Sequence, residues 1–389
     1  MGFSFRVARG KEHTVLDCPH RPPCPGCPRL GAPDLAPDAR AALASLAGRR
    51  GLDGLTVVRG AETGFRCRAR LAVRGRARSP KIGIFEAGSH RVVDIPRCVV
   101  HHPLVNDVAR EARAAIRDTA TPPYSDDAHA GLLRYLQIVV ERGSLTAQVV
   151  AVTNDETADR AEPFLSSLAE RLGARLHSLF WNGNPARTNA VLGPLWRRFS
   201  GPEAVEETLG GARVFYTPGA FGQSHLDLSS ELVDRVHSWV PDGASVLELY
   251  AGVGAIGLGL ASRVEELAMN ELVPESLRGL ELGVAALPGA IRARVTVVPG
   301  PAGDALSSVS NPDVVIVDPP RKGLDADVLT ALVEAPPRRL VYVACGLDAF
   351  LRDEATLCER AGFRLRHLAA YDMFPHTEHV ETLALFDRA

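Results

Sequence analysis

No stretch of the chain approaches the roughly 18 to 20 uninterrupted apolar residues that a membrane-spanning helix needs. The N-terminus, MGFSFRVARGKEHTV, lacks the apolar centre of a signal peptide. Neither a membrane anchor nor secretion is therefore expected, and the chain reads as cytoplasmic. Cysteine is scarce. Seven in 389 residues are too few for a disulfide scaffold, and cysteines that cluster in a cytoplasmic chain point to metal binding or chemistry. Net charge is small, at -2, which argues against a protein that coats nucleic acid non-specifically. Internal repeats and long low-complexity linkers are lacking, and nothing points to an obligate protein partner.

What is present is a globular composition, 46% hydrophobic and 23% charged, in a chain long enough for roughly two or three domains. Residues 38–48 (DARAALASLAG) have helical spacing, and residues 68–75 (RARLAVRG) alternate as a strand does. Further strands are expected at 136–141 and 145–152, so the first half reads as α+β. From about residue 239 apolar strands alternate with helices, which predicts a doubly wound, mostly parallel α/β sheet. The last two strands, with no helix between them, should form an antiparallel edge. The division is drawn at 1–215 and 216–389. Arginines are concentrated between Arg59 and Arg97, including Arg66, Arg68, Arg70, Arg74, Arg76 and Arg78. Such a segment suits RNA phosphates, or is simply a solvated strand face.

Four segments carry chemistry. ELYAGVGAIGLGLA (248–261) ends a strand, turns at Gly252 and Gly254 and enters a predicted helix, with Tyr250 at the strand end. Small residues there let backbone amides approach a ligand at the carboxyl edge of the sheet, although tight packing alone would also select them. Glu271 ends the next strand about twenty residues on, where a carboxylate accepts hydrogen bonds from a ribose. VVIVDPPRKGL (314–324) places Asp318 at the mouth of a central strand, and LVYVACGLDAF does the same with Cys345, where a thiolate could be stabilised and reach substrate. Cys358 reads as a small buried hydrophobe. Finally, Cys18, Cys24 and Cys27 have C-x5-C-x2-C spacing in a proline-rich loop, a pattern of metal or cluster ligation.

Asp318-Pro319-Pro320-Arg321, Cys345 and the closing FPHTEHVETLALF with Glu381, in that order, resemble the RNA 5-methyluridine methyltransferases. The resemblance covers most of the chain. It implies a Rossmann-like class I methyltransferase domain, preceded by an α+β RNA-binding domain with a cysteine cluster, and S-adenosylmethionine as methyl donor. Uracil C5 is too weak a nucleophile to attack a sulfonium unaided, and thiolate addition at C6 converts the ring to an enolate. By resemblance Cys345 is that thiolate, Glu381 the base that removes the C5 proton, and Gln223 of YTPGAFGQSH contacts the donor. VVDIPRCVV matches the family's V-D-I-x-x-C pattern, which makes Cys98 the fourth ligand of a [4Fe-4S] cluster and Cys67 a bystander. Zinc is the competing occupant. Cluster-bearing members mostly modify 23S ribosomal RNA, and the roughly seventeen residues before Cys18 suggest the short form without an N-terminal β-barrel. Several positions depart from the family's pattern: its Ser-Cys-Asn-Pro becomes Ala344-Cys345-Gly346-Leu347, Ala255 replaces Asn, and His225 replaces Asn. The alternatives are a transfer-RNA enzyme of the same family, a methyltransferase acting on a base nitrogen or a protein, and a donor- or RNA-binding protein without C5 activity.

Overall fold

A computed structural model describes residues 16–32 and 34–388. The stretch without a signal-peptide centre, 1–15, lies outside the described residues. In chain order the elements begin with helix α1 (Pro37–Arg49) and strand β1 (Thr56–Val58). Strands β2 (Arg68–Arg76), β3 (Ser79–Phe85) and β4 (Val92–Asp94) precede helix α2 (Pro103–Asp118). Strands β5 (Leu133–Glu141) and β6 (Thr146–Thr153), helix α3 (Glu162–Leu172), and strands β7 (Leu176–Gly183) and β8 (Leu195–Ser200) complete the first layer pair. A hairpin of β9 (Val205–Leu209) and β10 (Ala212–Tyr216) follows. The rest runs through α4 (Leu226–Trp239), β11 (Ser245–Leu249), β12 (Glu266–Glu271), α5 (Pro274–Ala285), α6 (Gly289–Arg292) and β13 (Val295–Pro299). It closes with β14 (Val314–Val317), α7 (Ala326–Glu334), β15 (Arg339–Ala344), α8 (Leu347–Arg360), β16 (Phe363–Tyr371) and β17 (Glu381–Arg388).

The first sheet has the order β4-β3-β2-β5-β6-β7-β8. Helix α2 lays Leu104, Val105, Val108, Ala112, Ala115 and Ile116 against it, the spacing of an apolar helical stripe. Strands β5 and β6 are buried almost throughout, which explains their near-continuous apolar sequence.

The second sheet has the order β1-β16-β17-β15-β14-β11-β12-β13. Strands β13, β12, β11, β14 and β15 are mutually parallel, and the chain runs outward from β11 to β12 and β13 on one side and from β14 to β15 on the other. That reversal opens a crevice beyond the carboxyl ends of β11 and β14, the place where open α/β sheets bind ligands. Leu249 and Val317 stand side by side at this point, so Tyr250 and Asp318 enter the crevice together.

Three expectations change. The antiparallel pair β16–β17 exists, but β17 inserts between β15 and β16, and β1 pairs in parallel with β16 to extend the sheet beyond it. The helix expected after the glycine turn is reduced to a 3-10 turn at Gly257–Leu260. Glycines 252, 254, 257 and 259 depress helix propensity there, and Gly257 packs directly against the Glu248 carboxyl. Packing also crosses the 215/216 line. Leu43, Leu46 and Ala47 of α1 share a core with Leu247, Val315 and Phe350, and Val205 and Val214 share one with Tyr216, Val246 and Ile316.

Leu43 is fully buried in the second core. Leu43→Ala should cost about 2–5 kcal/mol, seen as a lower midpoint in urea unfolding of the catalytic half. A change confined to the first sheet would show that α1 belongs there instead.

Candidate active site

A cavity of about 900 Å³ occupies the crevice. It is lined by Gln223, Tyr250, Gly252, Glu271, Asp318, Cys345 and Glu381, seven of the eight residues assigned to catalysis or donor binding. The eighth, Gly254, is not in its lining. Gly254 lies in the left-handed region at φ +80 and packs under the turn against Leu258 and Leu280, so it shapes the loop from behind.

The glycine turn is held by Glu271. One carboxylate oxygen accepts from the Gly252 amide at 2.8 Å, and the other accepts from the amides of Leu272 and Val273 at 2.8 and 2.5 Å. Tyr250 is also left-handed, at φ +61, an uncommon conformation for a bulky residue that clusters at functional sites. Its hydroxyl donates to Asp325 at 3.0 Å, and Lys322 pairs with the other Asp325 oxygen at 2.6 Å. The Lys322 bond holds Asp325 below its ordinary range.

Three carboxyls are pushed the other way. Burial, and then the charge of Asp318, raises Glu248 to about 8. Burial raises Asp318 to about 7, although its carboxyl opens onto the cavity. Glu381 is 1% exposed, and burial followed by Asp318 lifts it well above the carboxylate range, against the pull of Gln223 and Arg321. Neither Glu381 oxygen has a hydrogen-bond partner of normal geometry, nor does Gln223 Oε1. Buried polar atoms without partners are rare and mark positions that a ligand completes.

Glu248 escaped the sequence reading. Its signal was there: it is the one charged side chain inside the apolar strand β11 (SVLEL).

Cys345 stands at the end of β15, where a second hollow of about 440 Å³ meets the first; Cys345 and Arg321 line both. His379 and Arg352 lie on the far side. The expectation of a stabilised thiolate is corrected: burial, then the charges of Glu381 and Asp318, push the thiol up to about 11, with Arg321 opposing. Two of the departures acquire structural reasons. Gly346 passes so close to the Arg321 backbone that a side chain would collide. His225 caps α4, its Nδ1 accepting from Leu228 at 3.5 Å while Nε2 donates to the Ala61 carbonyl at 3.2 Å, and its ring stacks on Phe65 at 4.9 Å.

Cys18, Cys24, Cys27 and Cys98 line one cavity of about 190 Å³. Cys67 is not in its lining and sits in the core of the first sheet. Among the described residues no group of three or more His, Cys, Asp or Glu side chains is arranged to hold a metal ion.

The arginine segment is divided between packed and exposed side chains. The Arg68 guanidinium stacks on Tyr216 at 3.8 Å. Arg74 is buried, pairs with Asp126 at 2.6 Å and faces Phe85, Tyr124 and Tyr135. Arg70, Arg76, Arg78, Lys81 and Arg97 remain exposed. Among the described residues no helix is long and apolar enough to cross a membrane.

Residues 305–389 match the family described as tRNA (uracil-5-)-methyltransferase. An uncharacterized RNA methyltransferase of Protochlamydia amoebophila is 35% identical over 380 residues, covering 96% of this chain and 98% of that protein. One from Geobacter sulfurreducens is 32% identical over 330 residues, covering 82% and 65%. Among solved structures, the Pyrococcus abyssi tRNA (uracil-54, C5)-methyltransferase in complex with S-adenosyl-L-homocysteine superimposes with a TM-score of 0.73 at 25% identity, covering 90% of this chain and 83% of that one.

A carboxyl kept protonated by burial favours the fold below its ordinary value near 4.3 and loses that contribution as pH rises through the raised value. With Glu248, Asp318 and Glu381 all raised, unfolding free energy should fall between about pH 5 and pH 8. Glu248→Gln should flatten this decline and gain on the order of 1 kcal/mol or more at pH 8. A variant equal to or weaker than wild type at pH 8 would contradict the assignment.

Proposed function

The chain belongs to the RNA uracil-5-methyltransferase family, and on that premise we propose that it methylates C5 of a uridine in 23S ribosomal RNA through a covalent bond to Cys345. The observation that carries this reading is the meeting of Cys345 with Asp318 and the unpartnered Glu381 at the wall between two cavities.

S-adenosylmethionine, when bound, supplies an electrophilic methyl on a sulfonium. Asp318, Glu271, Asp325 and Glu381 give the large cavity an acidic lining, which suits a cationic donor. Tyr250, Gly252 and Gln223 face the same space, and Gly254 supports the turn. The target base must leave its stack to reach Cys345. Phe221, 67% exposed at the cavity rim, offers a stacking face for it.

Cys345 Sγ, as thiolate, bonds to C6, and the C5=C6 electron pair moves onto O4. The enolate would return that pair through C5 to the methyl of a bound donor, whose bond to the sulfonium would break with its electrons on that sulfur. Glu381 takes the proton from C5, the C–H pair rebuilds C5=C6, and the C6–S bond breaks with its electrons on sulfur. A thiol raised to about 11 must first lose its proton, and Arg321 is the neighbouring cation that favours this. A carboxyl with raised proton affinity is a stronger base once ionised, which suits Glu381 to removal of a carbon-bound proton.

Four thiols line one cavity, a donor set that suits a [4Fe-4S] cluster and zinc alike, and the resemblance to cluster-bearing enzymes favours the cluster. Cys18, Cys24, Cys27 and Cys98 would hold it, and its contribution there is structural, since methyl transfer needs no electron. The ribosomal target follows from resemblance to cluster-bearing enzymes. A second reading, transfer RNA, is favoured by the solved relative that acts on uracil 54.

Ribosomal and transfer RNA transcribed with 5-fluorouridine should discriminate. Fluorine does not leave C5 as a proton does, so the RNA target should be trapped covalently, with Cys345→Ala forming no adduct. Mapping the adduct to transfer RNA would replace the ribosomal reading, and no adduct on either would overturn the mechanism. On ordinary RNA, Glu381→Gln should lower turnover on the order of 10²-fold or more. Protein purified without oxygen should carry about four irons with matching sulfide; one zinc in their place would overturn the cluster.

A further inference from the structure

Glu381 has no hydrogen bonds of its own side chain to hold it, and it is the first residue of β17. Its backbone pairs with Tyr371 of β16, and the loop 372–380 joins the two. Asp372 donates to the Val58 carbonyl at 2.9 Å and Glu378 approaches Arg29 at 3.8 Å, but the loop's densest set of bonds to the rest of the chain is at His376, which is 5% exposed.

His376 is bonded on three sides. Its carbonyl accepts from the Arg29 amide at 2.9 Å, and its Nδ1 accepts from the Gly31 amide at 3.3 Å. Its Nε2 lies 2.9 Å from the Glu62 carbonyl. An amide only donates and a carbonyl only accepts, so the ring proton sits on Nε2. Arg29 and Gly31 lie just beyond Cys27, and the flanking Pro375 and Thr377 line the cysteine cavity. His376 also adopts φ +69, a left-handed conformation unfavourable for a residue with a side chain. The three bonds hold the residue in that conformation.

From His376 onward the loop is braced internally. The Thr377 hydroxyl donates to the Phe374 carbonyl at 2.8 Å and accepts from the His379 amide at 3.2 Å. These bonds stiffen the segment from Phe374 to His379, two residues short of Glu381.

We infer that His376 is a positioning residue for proton removal: it fastens the Glu381 loop to the cysteine loop, so that the cysteine loop sets where Glu381 stands. The inference rests on the proposed role of Glu381 as the base. Addition of Cys345 to C6 and methyl transfer to C5 do not use Glu381, whereas release does. Without a placed base the C5 proton stays on the ring, C5=C6 is not rebuilt and the Sγ–C6 bond persists.

His376→Gly tests this, because glycine accepts the left-handed backbone and only the ring is deleted. The variant should trap 5-fluorouridine RNA at a rate within about twofold of wild type, which requires an intact fold and donor site. On ordinary RNA its turnover should fall at least about tenfold, and a methylated RNA–protein adduct should accumulate on denaturing gels, as with Glu381→Gln. Wild-type turnover without adduct would overturn the inference, as would loss of trapping together with turnover, the mark of a general folding role. If Glu381→Gln itself accumulates no adduct, the assignment of the base fails, and the role of His376 with it.

Discussion

The parallel pairing of β11 with β14, from Val246–Val314 to Leu249–Val317, is the constraint on which the site depends. Because connections leave this pair toward opposite sides, no helix covers the ends of the two strands and a crevice must open there. The residues that end the strands, Tyr250 and Asp318, inherit their place from it. Cys345 enters because β15 pairs with β14 in register. Glu381 enters because β17 runs antiparallel beside β15, which brings its first residue to the end where β15 finishes. Three residues far apart in sequence thus reach one wall through two successive strand pairings.

That wall is electrostatically uncomfortable. Asp318 raises both Glu248 and Glu381, on top of the burial that raises all three. Replacing them with amides would relieve the fold, so their presence speaks for a cationic occupant and for proton transfer. The thiol of Cys345 shares the cost, since the carboxyls that suit the donor oppose its ionisation. Arg321, at the junction of the two cavities, is the local counterweight.

The order of strands and helices in the second half was legible because alternating apolar strands and amphipathic helices leave few topologies. Seven of the eight positions expected to serve catalysis or donor binding line one cavity because motifs at strand ends point to one rim of a parallel sheet. What could not be read was sequence-distant pairing. Nothing in TVV at 56–58 announces that β1 joins the far sheet, and the arginines of β2 look alike although Arg74 is boxed by aromatic rings and Arg76 is exposed. Thiol ionisation was misjudged for the same reason: the strand-end position of Cys345 follows from sequence, while the carboxyl of Glu381, thirty-six residues on, does not. That His225 caps α4 is likewise a matter of contacts the sequence does not show.

Strand β1 bears on how such a chain can be divided. It covers the outer side of β16 in parallel, and α1 seals the face beside it. A catalytic half excised at residue 216 would present β16 as a bare edge, with unpaired amides and carbonyls ready to recruit another chain. The sheet that carries the chemistry is thus closed by the segment that leads from the cysteine loop. The two halves are threaded through one another rather than strung in series, and cannot be exchanged as cassettes.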